Sequence, residues 1–142
     1  MKMKAMLAAY GGTIATLLIA DAIWLGLVAR TFYKEQLGEM MLPSPNLAVA
    51  SLFYLFFAAA LVLLVVSPAL KAQSIVMVLA YGAVFGLVTY GTYDITNLAT
   101  LRNWPLKMSI VDMAWGAFVT ALSAAGGYFA AMAVAPTAPG TS

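Results

Sequence analysis

Three aspartates, Asp21, Asp94 and Asp112, stand inside long apolar runs of a chain that otherwise offers little chemistry. The chain has no cysteine and no histidine. This excludes disulfides, thiolate catalysis, a histidine general base, and zinc, haem or copper held by His or Cys. Carboxylates can still take up protons, bind a cation, or work as acid and base beside tyrosine. Their polar company is concentrated in Tyr90–Pro105, YGTYDITNLATLRNWP, where Tyr90, Tyr93, Asp94, Asn97 and Arg102 follow one another.

The elements carrying these residues are membrane helices. Of 142 residues, 64% are hydrophobic and 8% charged, and mean hydropathy is +0.96. Soluble domains carry about 25% charged residues. Four apolar runs near the length of a bilayer crossing predict an all-α integral membrane bundle. The spans are expected at about 5–29, 47–66, 74–101 and 109–133, in one domain over residues 1–135, with 136–142 a disordered tail. Lys2, Lys4 and Ala20-Asp21-Ala22 imitate a signal peptide. A secretory apolar core spans only about 7–15 residues, so this segment reads as an uncleaved span.

Between spans one and two, Thr31–Leu42 places Tyr33, Leu37, Met40 and Met41 on one face, and Lys34, Glu35, Gly38 and Glu39 on the other. That spacing fits a short interfacial helix, or an extension of span one. Asn46 is a suitable N-cap for span two, and Ser67–Lys71 is expected to turn. Span two otherwise reads as packing and lipid contact, Tyr54 included.

Antiparallel connections bring the end of span one, the end of span three and the start of span four to one side. All five acidic residues, all three tryptophans and both arginines then gather there. A charged side chain at a span centre costs roughly 2.5–3.5 kcal/mol on insertion scales. Three aspartates at that cost must face an interior, a partner or water. Asp21 and Trp24 share a face on span one, Tyr90, Asp94 and Asn97 on span three, and Asp112 and Trp115 on span four. With Tyr93 and Arg102 they outline one candidate ligand-binding pocket. Its metal preference is open and nothing calls for a cofactor. The structural alternative pairs the aspartates with Arg30 and Arg102, and makes Asp112 a helix cap. Asp21-x-x-Trp24 and Asp112-x-x-Trp115 also echo one another, although two short matches do not establish a repeat.

DAIWLG, PN…A…FYL, YGTYDITNLATLRNWP and VDMAWG together resemble a bacterial family of small integral membrane proteins classed as domain of unknown function 2177. The resemblance implies a four-span protein of the bacterial inner membrane and brings no activity with it. Three functions fit the residues. The first is binding or transport of a cation, proton or small polar ligand, for which so small a bundle calls for a homo-oligomer. The second is a structural or assembly role in which the aspartates specify the fold. The third is a lipid-modifying enzyme or its accessory subunit, against which the lack of His and Cys weighs. Scattered basic residues point to no nucleic acid. Basic residues divide nearly evenly between the two ends, and only with Arg30 and Arg102 set aside as aspartate partners does the remaining bias place the N-terminus in the cytoplasm. The lipid bilayer is the expected partner.

Overall fold

The computed structural model describes residues 1–135, so the expected disordered tail, 136–142, lies outside the described residues. Four helices are long and apolar enough to cross a membrane: α1 (Met3–Val28), α3 (Leu47–Ala72), α4 (Ile75–Thr100) and α5 (Leu106–Val134). A short helix, α2 (Arg30–Leu37), stands between the first two, followed by a single 3₁₀ turn at Gly38–Met40. At 1.5 Å per residue, the 26 residues of α1, α3 or α4 span roughly 39 Å, longer than the ~30 Å hydrocarbon layer.

The chain builds these helices from local signals. Asn46 caps α3 by accepting a hydrogen bond from the Val49 amide at 3.2 Å, and Ser74 caps α4 through the Met77 amide at 3.1 Å. Ser67–Lys71 does not turn as expected but stays helical. Pro68 lacks an amide hydrogen and would leave a gap in an α-helical ladder. A π-helical turn over Val62–Val66, where the Ser67 amide reaches back to the Val62 carbonyl, absorbs the mismatch. The reversal comes at Gln73, whose φ of 52° lies in the left-handed region. Asn103 makes the turn before α5 in the same way, with φ 58°.

Helix α5 is the centre of the bundle. Its buried side is mostly small, Ser109, Gly116, Thr120, Ser123, Ala124, Ala125, Gly127 and Ala131, interrupted by Met108, Val119 and Tyr128. In a bilayer the hydrophobic effect does not drive helices together, so close packing of small residues takes over. Against α1, a Cβ on Gly12 would lie 2.6 Å from the Ala130 Cβ and 2.7 Å from the Gly126 carbonyl. Against α4, a Cβ on Gly82 would lie 2.9 Å from the Ala121 Cα, and Gly86 abuts the Gly116 carbonyl and Thr120. The pairings Gly12–Gly126 and Gly86–Gly116 set α1 and α4 antiparallel to α5 on two of its sides. Helix α3 completes the core with Phe57, Leu61 and Val65, and exposes Leu52 and Phe56 on its outer side.

Candidate functional site

The carboxyls sit at the end of the bundle where α1 and α4 finish and α5 begins. Asp21 is 6% exposed, and both its oxygens are occupied. Tyr54 of α3 donates to Oδ2 at 2.6 Å, and Trp115 of α5 donates to Oδ1 at 2.9 Å. Asp112 accepts at 2.7 Å from the hydroxyl of Tyr33, which in turn accepts from Trp24 Nε1 at 3.1 Å. The donors are therefore aromatic, and not Arg30 and Arg102 as in the structural alternative. Arg102 is exposed in the turn after α4. Asp112 is also not a cap. It lies two turns into α5, whose N-cap position is Pro105.

The two Asp-x-x-Trp motifs meet here. Because α1 and α5 run antiparallel, each tryptophan serves the other helix's aspartate, Trp115 directly and Trp24 through Tyr33. The indoles stack between them, centroids 4.4 Å apart and planes within 5°. The local geometry favours this arrangement. A π-helical turn over Trp24–Val28, closed by the Ala29 amide on the Trp24 carbonyl at 2.7 Å, ends α1. It redirects the chain into α2, which lays Tyr33 over the start of α5 among Ala29 and Met108. Lys107 stands 5.9 Å from the Phe32 ring centroid and adds a cation–π contact to that packing. Burial, above all, pushes the Tyr33 phenol well above the ordinary tyrosine range. The Trp24 hydrogen bond opposes that shift, while the charges of Asp112 and Asp94 reinforce it.

Asp94 is different. Its side chain is completely buried (0% exposed), yet neither carboxyl oxygen has a hydrogen-bond partner of sound geometry. Its neighbour is the carboxyl of Asp112. Tyr90, one turn earlier on α4, packs its ring against Gly116. Among the described residues no group of three or more Asp, Glu, His or Cys side chains is placed to hold a metal ion.

Of the expected pocket residues, Asp94 and Asp112 come together, Trp24 joins Asp112 through Tyr33, and Asp21 with Trp115 forms a separate hydrogen-bonded set joined to it only by the indole stack. Tyr93 is 54% exposed and stacks edge-on against Trp104, centroids 5.6 Å apart, outside the pair. Asn97 is half-buried one turn further along α4. Tyr33 and Tyr54 lie outside the set of site residues that the sequence predicts. Each looked like one aromatic on an apolar face, and nothing local signals a carboxylate partner 79 or 33 residues away.

The profile of a family described as "Predicted membrane protein (DUF2177)" matches residues 6–129. The chain belongs to this family. All three aspartates, both stacked indoles, Tyr33 and Tyr54 fall inside the matched segment. No curated protein and no solved structure matched the chain in comparison. The family assignment thus establishes a membrane protein.

Proposed function

We propose that this DUF2177 protein binds a proton or a small monovalent cation at the Asp94–Asp112 carboxyl pair. The observation that carries the reading is Asp94, wholly buried beside a second carboxyl with both oxygens unsatisfied. Burying an ionised carboxylate without a partner costs several kcal/mol, and a second carboxylate alongside adds repulsion. A positive species must neutralise the pair. Two carboxyls without a third ligand suit a proton or a monovalent cation better than a divalent ion, which takes six or more oxygens. The Asp112–Tyr33 hydrogen bond links the pair to α2 and so to the membrane face, where a change of charge at the pair is sensed.

Asp21 supports a different role. With both oxygens satisfied by donors from α3 and α5, it ties three helices together and specifies their register. The three aspartates thus divide into one fold-specifying residue and one ligand-binding pair. In the cell the protein sits in the bacterial inner membrane. Lys2, Lys4, Lys71 and the amino terminus at the end opposite the carboxyls are matched by Arg30, Lys34, Arg102 and Lys107 beside them, so the charge count favours neither orientation. If the pair serves transport, two copies form the unit.

Infrared difference spectroscopy of the purified protein in lipid tests this reading. The wild type is expected to show a protonated carboxyl band, or a carboxylate band that shifts on adding sodium or potassium. Asp94→Asn removes that signal and Asp21→Asn leaves it. A wild-type spectrum with neither feature, across a pH and cation titration, disproves the assignment.

A further inference from the structure

A cavity of about 790 Å³ opens beside the network, between the end of α1, helix α2, the Pro43–Asn46 loop and the start of α3. It falls within the roughly 300–1,000 Å³ of small-molecule sites. Its walls are of two kinds. Leu25, Met41, Leu42 and Val49 make an apolar side, and Arg30 and Lys34 make a cationic rim. Among the described residues no carboxylate lines it, although Glu35 and Glu39 follow closely in the chain. Arg30 and Lys34 are four apart on α2, so both project from one face and repel one another unless an anion lies between them. At its inner end Ala50 is shared with a second cavity of about 220 Å³, which Phe53 and Phe57 continue along α3 towards the core. A cationic mouth at the end of the bundle therefore leads into an apolar slot running along a membrane helix.

We propose that this cavity binds one anionic amphiphile of the bilayer, a phosphate-headed lipid. The phosphate sits between Arg30 and Lys34, and the chain lies along Leu25, Val49 and Ala50 towards Phe53. Arginine grips phosphate through two parallel N–H groups and lysine adds a point charge. The apolar slot gives the chain a protein surface that a free phosphate ion does not use. The inference stands on the cavity alone and is independent of the carboxyl pair. Tyr33 nevertheless lines the same cavity, which puts the bound headgroup beside the Tyr33–Asp112 hydrogen bond.

The test is native mass spectrometry of the full chain released from vesicles of equal parts phosphatidic acid and phosphatidylcholine. The expected result is one retained phosphatidic acid per chain, preferred about tenfold or more over phosphatidylcholine. Arg30→Gln with Lys34→Gln abolishes the preference, and Arg30→Lys keeps part of it. Gly26→Phe fills the slot and lowers lipid retention with both cations intact. A Cβ at Gly26 meets nothing within 4 Å, so the backbone tolerates the change. Val49→Trp, at an exposed wall position, is a second blocker. Circular dichroism confirms that each variant keeps its helices. Equal retention of both lipids, or a preference unchanged in the double glutamine variant, marks ordinary boundary lipid and overturns the proposal. So does inorganic phosphate that displaces phosphatidic acid and still binds Gly26→Phe, since the site then takes phosphate without a chain.

Discussion

Trp24 and Trp115 lie face to face, centroids 4.4 Å apart and planes within 5°, where antiparallel α1 and α5 cross at the carboxyl end of the bundle. Each indole N–H points away from the stack into a different carboxylate system, Trp115 to Asp21 and Trp24 through Tyr33 to Asp112. The stack is thus the mechanical link between two polar networks that share no hydrogen bond with one another. Trp115→Phe keeps the ring contact but strips Asp21 Oδ1 of its donor. It should cost roughly 1–3 kcal/mol, the penalty for an unsatisfied buried group. Trp24→Phe should cost less, because Asp112 keeps its donor Tyr33. A double-mutant cycle on Trp24→Leu and Trp115→Leu, read by unfolding in mixed micelles, should give a coupling of about 0.5–1.5 kcal/mol.

Asp21 and Asp94 should respond differently to the same substitution. Asp21→Asn weakens two charge-assisted hydrogen bonds and should destabilise by about 2–3 kcal/mol. Asp94→Asn removes an unpartnered buried acid while keeping its shape, and should be neutral or stabilising. The midpoints of denaturant unfolding compare the two directly. Equal destabilisation by both would contradict the division of roles between them.

Tyr33 makes stability depend on alkaline pH. Its phenol is raised in the folded protein, so the neutral form is the one that folding favours. Stability from this group is fully present below the unfolded value of 10.0 and is lost as pH rises from there through the folded value. Tyr33→Phe should be less stable by about 1–2 kcal/mol at neutral pH, since Asp112 loses its donor. It should also lose the Tyr33 part of the alkaline decline. Thermal unfolding of wild type and variant between neutral and strongly alkaline pH measures both effects.

The glycines divide by what a methyl group would meet. At Gly86 it meets the Gly116 carbonyl and Thr120, and at Gly116 the Tyr90 ring, so alanine at either should cost about 1–3 kcal/mol through overpacking. At Gly11 it meets nothing within 4 Å. Gly11→Ala should therefore stabilise by up to about 1 kcal/mol, through the helix preference of alanine alone. Unfolding of the three variants in one micelle system is the check.

Composition and run length by themselves determined the membrane class, the four spans, the antiparallel order and the end of the bundle where the acids gather. Those properties follow from local hydrophobicity and from short connections, which leave neighbouring spans little choice but to alternate. The Asn46 cap was legible for the same reason, since donor and acceptor lie three residues apart. Ser67–Lys71 was not, because proline normally ends a helix and only the π-helical turn before it lets α3 continue.

What the tertiary structure alone decided is which acid meets which donor. Periodicity put Asp21, Asp94 and Asp112 on inward faces but could not say that the first two differ completely in satisfaction. That depends on the close approach of α1 and α4 to α5, set by glycines on both sides of each crossing. It depends equally on Tyr33 and Tyr54, whose hydroxyls come from elements distant in the chain. A hydrogen bond forms or fails within a few tenths of an ångström, and no pattern of residue types along a helix carries that information.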